Sequence, residues 1–285
     1  VKIKVSELFY SLQGEGMFVG VPSVFLRTFG CNFTCSGFGM KRGQASGERD
    51  TVAQLHEFHP YKSYQELPLV HTGCDSYASW DPRFKDLSPF MEISEIVDKM
   101  QEMLPDGKFG PDKHLIITGG EPLLGWQRAY PALIKEISSR HMHLTDITFE
   151  TNGTQLLTSD LQNFLAGISS DIRITFSVSA KLPSSGEDWV KAICPNVVKQ
   201  YTEIPNSNVY LKFVVSTEED IKDVNYAVSA YSTANVNVPV YLMPVGGTAS
   251  SYEKNERNVA DYCRDNGFRF SPRIQVPLYK NAWGT

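Results

Sequence analysis

Apolar residues along this chain follow two periods. Short, β-branched and aromatic runs at 23–28, 114–118, 146–150, 173–178, 208–215 and 238–243 read as strands. Between the later ones, apolar residues recur at helical spacing around 126–140, 158–167, 187–201, 218–232 and 250–265. Ahead of the second strand, Ile93, Ile96, Val97, Met100, Met103 and Leu104 mark one helix face, which Pro105-Asp106-Gly107 ends. Residues 1–12 alternate as a further strand, broken where Gly14 and Gly16 follow. Strand–helix repetition of this kind predicts an α/β fold, a parallel sheet covered by helices and curled into a partial (β/α)6 TIM-like barrel. Between Ser36 and Gly73 the pattern fails, and Gly37, Gly39 and Gly43 open the gap. An excursion of that length predicts a lid-like insertion at about 36–73, packed over the mouth of the site, in a single domain spanning 1–285.

Composition narrows the class. Hydrophobic residues make up 41% and charged ones 21%, the balance of a globular protein. With 27 basic against 32 acidic residues the net charge is −5, and no Lys/Arg run interrupts the mixture, so no nucleic-acid or membrane partner is expected. No apolar stretch reaches the length of a membrane span, and Val1 to Val5 alternate like a strand rather than a signal peptide; the expected address is the cytoplasm. Five cysteines at these spacings suggest no disulfide framework, and Cys194 and Cys263 fall in helical patterns as ordinary thiols.

The candidate chemistry collects at the C-terminal ends of the strands. Arg27 and Cys31 follow the first, Gly119 to Pro122 the second, Glu150 to Gly153 the third and Ser177 to Lys181 the fourth; Lys212 lies in the fifth and Met243-Pro244 closes the sixth. Cys31 and Cys35, joined by Cys74 from farther on, offer three thiolates. A four-cysteine site is coordinatively closed, whereas a cubane on three leaves one iron free for a substrate or cofactor. Cys-x3-Cys alone is more often a pair of buried thiols; Thr118-Gly119-Gly120-Glu121-Pro122 after a strand changes the reading. Two glycines there admit a bound group close to the backbone, and a carboxylate accepts from an amine. Gln13 and Glu15, framed by glycines, can present an amide and a carboxylate to the N–H edge of a heterocycle, and Arg27 can grip a carboxylate bidentately.

Ser11-Leu12-Gln13-Gly14-Glu15-Gly16, Arg27 to Asn32, Cys74-Asp75-Ser76, Thr118 to Pro122, Glu150 to Thr154 and Ser177 to Lys181 together resemble the 7-carboxy-7-deazaguanine synthase family of radical S-adenosylmethionine (SAM) enzymes. The resemblance covers nearly the whole chain and makes the expected barrel one of the radical SAM type. It implies ring contraction of 6-carboxy-5,6,7,8-tetrahydropterin to 7-carboxy-7-deazaguanine with loss of ammonia, on the way to queuosine-type 7-deazapurines. A [4Fe-4S] cluster on Cys31, Cys35 and Cys74 would reduce SAM, and the resulting 5′-deoxyadenosyl radical would take a substrate hydrogen and later return it. Gly119, Gly120 and Glu121 would hold the methionine end of SAM, with Glu150, Asn152, Ser179 and Lys181 around the rest. Gln13, Glu15, Arg27, Thr118 and Asp75 would contact substrate, and Ser76 would supply a hydroxyl to Mg2+ at the substrate carboxylate. An electron donor such as flavodoxin and a homodimer are further implications of the resemblance.

Four departures from that pattern stand in the sequence. Phe38 occupies the position expected for the third cysteine, and 38 residues lie between Cys35 and Cys74. Ser76 stands where threonine is usual, and Ala180 where proline is frequent. In Ile274-Gln275-Val276-Pro277, Pro277 takes a place where the family can have histidine. Two other readings remain open at this point: a radical SAM activase acting on a partner protein, and structural zinc on the three thiols with His71 nearby.

Overall fold

The computed structural model describes residues 1–285. Its strands are β1 (Lys2–Leu12), β2 (Pro22–Thr28), β3 (Phe90–Glu92), β4 (His114–Gly119), β5 (Asp146–Thr151), β6 (Arg173–Val178), β7 (Asn208–Val215), β8 (Val240–Pro244) and β9 (Arg269–Phe270). They form one sheet in the order β3-β1-β2-β4-β5-β6-β7-β8-β9. From β2 to β9 every pairing is parallel, while β1 runs antiparallel to both β2 and β3. Helices α1 (Glu48–Phe58), α2 (Ile93–Met103), α3 (Tyr130–Ser139), α4 (Ser159–Ile168), α5 (Trp189–Ala192), α6 (Pro195–Thr202), α7 (Glu218–Thr233), α8 (Ala249–Asn266) and α9 (Gln275–Tyr279) connect or follow them. None is long and apolar enough to cross a membrane.

The period of two along each strand sorts its side chains between two environments. Val24 and Leu26, Leu115 and Ile117, Ile147 and Phe149, Ile174 and Phe176, and Leu211 and Phe213 belong to one large buried cluster with the apolar stripes of the helices. Their neighbours Phe25, Arg27, Thr118, Glu150, Lys212 and Met243 line a cavity on the other side. One face therefore supplies the stability, each buried aliphatic side chain contributing about 2 kcal/mol, and leaves the other free to carry polar groups.

Local chemistry fixes where the elements begin and end. Thr217 and Asp220 form a reciprocal capping box at the start of α7, and Gly267 ends α8 in the left-handed region at φ 74°. The helix read at 187–201 is two helices, because Pro195 lacks an N–H and its ring excludes helical geometry at Cys194. In β1 the register shifts between Val5 and Glu7, and this bulge sets Glu7 opposite Arg27.

The loop after β1 crosses the cavity. Five strand spacings separate β1 from β7 in the sheet order, about 24 Å if the sheet were flat. Yet Glu15 Oε2 lies 2.5 Å from Lys212 Nζ in β7, the Gly16 N–H donates to Ser271 Oγ at 2.8 Å, and the Ile274 N–H donates to Gly14 O at 3.1 Å. The sheet is curled, and this loop bridges its open side.

Residues 36–73 are spliced out of the strand–helix series and carry α1. Val52, Ala53, Tyr64, Leu67 and Val70 form a small core with Tyr77, Ala78 and Phe84, separate from the main one. Trp283 packs on it edge-on to Tyr64, so the C-terminal residues and the segment support each other. Its histidines do not converge: His56 stacks on Tyr61, His59 is exposed, and His71 lies against Thr248.

Candidate active site

The loop after β2 turns sharply at Gly30, whose φ of 118° suits glycine. Its N–H donates to Ser79 O at 2.8 Å, and the Phe33 N–H points at Cys31 Sγ at 3.4 Å. Cys35 sits in the left-handed region at φ 47°. One carboxylate oxygen holds it there: Glu187 Oε1 accepts from the N–H groups of Thr34 and Cys35, at 2.8 and 2.7 Å, and from Thr34 Oγ1 at 3.1 Å. No motif marks Glu187 in the sequence, since its role depends on where the turn after β6 lands.

The long gap before the third cysteine closes on itself. Gly73 N–H donates to Phe38 O at 2.7 Å, and Ser46 N–H to Ser36 O at 2.8 Å. The chain thus returns to the place it left, and Cys74 arrives beside residue 38, where a short-spaced third cysteine would have been. Cys31, Phe38 and Cys74 pack against a small buried cluster of Phe33, Cys35 and Ala192. Trp80 Nε1–H donates to Cys74 Sγ at 3.3 Å.

Burial pushes all three thiols up, Cys31 to about 12 and Cys35 and Cys74 also above the ordinary value, with Lys181 the cation that opposes the trend. Such thiols give up their protons to a strongly electropositive group. The three thiols and His71 do not form a site for a single metal ion. Three thiols lining one cavity, two of them facing N–H donors, are the donor chemistry that a polynuclear iron–sulfur cluster takes.

The Gly-Gly-Glu-Pro turn packs directly on the cysteine loop. Gly120 N–H donates to Thr28 O at 3.3 Å and Glu121 N–H to Gly30 O at 2.7 Å. A methyl group on Gly119 would stand 2.5 Å from Thr28 O, and one on Gly120 2.5 Å from Gly30 O, so both glycines permit this approach. Glu121 differs from the expectation of a cofactor contact. It is fully buried, does not line the cavity, and its carboxylate accepts from Leu123 N–H (3.0 Å), Thr151 Oγ1 (2.8 Å) and Asn152 N–H (2.6 Å). Its work is to hold the end of β5, where Asn152 Nδ2 reaches Asn32 Oδ1 in the cysteine loop at 2.9 Å. Ser179 and Lys181 line the same wall, and Lys181 Nζ donates to Ser179 Oγ at 2.9 Å.

Charged groups fill the rest of the cavity. Arg27 Nε donates to Glu7 Oε2 at 2.8 Å and Nη1 to Ser76 Oγ at 3.2 Å, while Nη2 makes no bond within the chain. Burial raises the Glu7 carboxyl, and Arg27 only partly reverses it. Gln13 Nε2 donates to Glu150 Oε1 at 3.0 Å, and Gln13 Oε1 accepts from the Glu15 N–H at 3.0 Å. Burial alone would raise Glu15 as well, but Lys212 and Arg273 overcome it and hold the carboxyl far below its usual range. Arg273 Nε lies 3.1 Å from Glu15 Oε1 and its Nη2 2.6 Å from Asp75 Oδ2. Gln275 Nε2 donates to Glu15 Oε1 at 2.9 Å, whereas Pro277 is exposed. Neither Arg273 nor Gln275 is among the site residues expected from sequence; Gln275 lies in the segment Ile274–Pro277 noted there for Pro277, and Arg273 lies just ahead of it. Every expected site residue except Glu121 lines this one cavity.

No family model matches the chain. It is 28% identical to the 7-carboxy-7-deazaguanine synthase of Pyrobaculum aerophilum over 99% of its own length and 97% of that protein. Against the proteins of the same name from Halobacterium salinarum and Clostridium acetobutylicum it is 27% and 25% identical, over 98% of this chain each time and 91% and 96% of theirs. The crystal structure of QueE from Escherichia coli has the same α/β fold, with a TM-score of 0.54 at 18% identity, covering 95% of this chain and 93% of that one.

Proposed function

We propose, for a chain that belongs to the 7-carboxy-7-deazaguanine synthase family, the conversion of 6-carboxy-5,6,7,8-tetrahydropterin to 7-carboxy-7-deazaguanine with loss of ammonia. The fold in this reading is a partial (β/α)6 TIM-like barrel of the radical SAM type, one catalytic unit with an insertion at 36–73. What carries the reading is convergence: three cysteines from distant positions share one cavity with Arg27, Glu15 and Gln13. Cys31, Cys35 and Cys74 would hold a [4Fe-4S] cluster, and Gly119, Gly120, Glu150, Asn152, Ser179 and Lys181 lie where SAM would meet the wall beside it. When bound, these two groups supply one-electron cleavage that yields a carbon-centred radical.

The chain's own residues bind and orient the substrate. Arg27, with Nε fixed by Glu7, offers its uncommitted Nη2 to a substrate carboxylate. Ser76 Oγ, adjacent to that guanidinium, is the hydroxyl proposed for Mg2+, a hard cation that needs few protein oxygens. Ionised Glu15 already accepts from Arg273, Gln275 and Lys212, so of about four acceptor sites on a carboxylate roughly one, on Oε2, is left for a ring N–H. Thr118 and Asp75 complete the substrate contacts. An electron donor such as flavodoxin, a homodimer and a cytoplasmic address belong to the same reading.

The test is anaerobic: reconstituted protein, SAM, reductant and the carboxylated tetrahydropterin, with mass spectrometry of the product. Formation of 7-carboxy-7-deazaguanine is the expected result. A colourless, zinc-loaded protein that cleaves no SAM overturns it.

A further inference from the structure

We infer that Trp80 tunes the third cluster cysteine and that the 36–73 insertion exists in part to hold it there. This rests on the cluster reading above and deepens it. The indole N–H is a donor only, and it points at Cys74 Sγ at 3.3 Å; the Ser76 backbone N–H also faces that sulfur. Its ring lies under the guanidinium of Arg49, the second residue of α1, at 5.0 Å from the ring centroid. Arg49 in turn is fixed by charge. Its Nε stands 3.2 Å from Asp81 Oδ2 and its Nη2 3.2 Å from Asp50 Oδ1, while Arg83 closes the square on Asp50 at 2.7 Å and on Asp81 at 2.6 Å. Two arginines and two carboxylates from the insertion and from the turn after Cys74 therefore lock one indole in place.

A donor on a ligating sulfur stabilises the more negative, reduced cluster, and removing it makes reduction harder. Trp80, which also lines the cavity, is accordingly a positioning and tuning residue acting on the cluster through Cys74, and the insertion is a clamp on the cysteine loop. Trp80→Phe keeps an aromatic face for Arg49 and deletes the N–H. Iron and sulfide content should be unchanged, the midpoint potential should move to a more negative value, and the reduced-to-oxidised ratio at a fixed reductant poise should fall about threefold, a fraction of one charge-assisted hydrogen bond. Arg49→Met should shift the potential in the same direction by less, and Arg49→Lys should restore it. An unchanged potential in a fully loaded Trp80→Phe overturns the proposal while leaving the cluster reading intact. Should Trp80→Phe lose its cluster, pulsed EPR of reduced wild-type protein carrying 15N-indole tryptophan decides: coupling to that nitrogen upholds the proposal and its absence overturns it. A wild-type protein that takes up no cluster overturns both.

Discussion

Arg27 and Glu7 form a buried pair in which the proposed substrate contact and stability are joined. The Glu7 side chain is 2% exposed and its Oε1 has no partner, so Arg27 is its only compensating charge. Replacing Arg27 by Met should raise the substrate KM about thirtyfold or more, the loss of a charge-assisted contact, while visible cluster absorbance stays normal. The same change should cost about 3 kcal/mol in urea unfolding, because a carboxylate is left buried and unpaired, and Glu7→Gln in the same chain should recover part of it. Glu121 makes a contrasting prediction. Glu121→Gln converts an acceptor of three internal bonds into a group with one acceptor oxygen, so stability should fall by about 2 kcal/mol, with weaker SAM binding only as a consequence of the loosened Asn152 loop. Equal stability, with lost SAM affinity alone, would sink that account. That the cysteines, Arg27, Gln13 and Glu15 share one cavity was legible because few other residue types offer such chemistry in such motifs. Glu121 was legible as a motif and misleading as a role, since a sequence does not say which way a carboxylate faces. Glu187 and Arg273 carried no signal: their meaning comes from partners more than 150 positions away.

At the level of elements, the strand-ending glycines are a matter of clearance. Gly120 sits against the loop that carries Cys31, and a methyl group there would lie 2.7 Å from Cys31 Cβ as well as 2.5 Å from Gly30 O. Gly120→Ala should therefore displace the cysteine loop, and iron bound after reconstitution should fall to less than half with far-ultraviolet dichroism unchanged. Gly125 separates clearance from conformation. It has φ +87° with nothing near its missing Cβ, so Gly125→Ala should cost about 1 kcal/mol of stability and leave iron binding intact. The strands predicted at 173–178 and 208–215 coincide with β6 and β7, and the other parallel ones shift by at most two residues at an end. Buried parallel strands announce themselves as continuous apolar runs. The short edge strands β3 and β9, of three and two residues, and the splice at Phe38–Gly73 did not, because each is held by backbone bonds to partners remote in sequence.

For the molecule as a whole, the loop at 13–16 is what turns an open sheet into a closed site, and its tie is ionic. Periodicity predicted the curled sheet but not this crossing, which rests on single side chains from β7 and the C-terminal segment. The pH dependence of stability should separate the tie from the rest of the fold. His114, buried against Thr148 with Phe18, Asp146 and Arg173 around it, has its pKa lowered to about 4, chiefly by burial, from an ordinary value near 6.5. Its contribution is intact above that ordinary value and is lost as pH falls from about 6.5 through 4. Glu15 faces Lys212, Arg273, Gln275 and the like charge of Asp75, and its carboxyl is held well below the usual range. That contribution is present above about pH 4.5 and disappears as pH falls toward the folded-state value. Thermal unfolding should therefore show two acid limbs. His114→Asn should flatten the upper one and leave substrate binding alone. Glu15→Gln should flatten the lower one, lower the melting temperature at neutral pH by leaving Lys212 short of a counter-charge, and weaken substrate binding. A Glu15→Gln protein whose lower limb is as steep as that of wild type would mean that the bridge across the sheet is held by its backbone bonds to Ser271 and Ile274 rather than by charge.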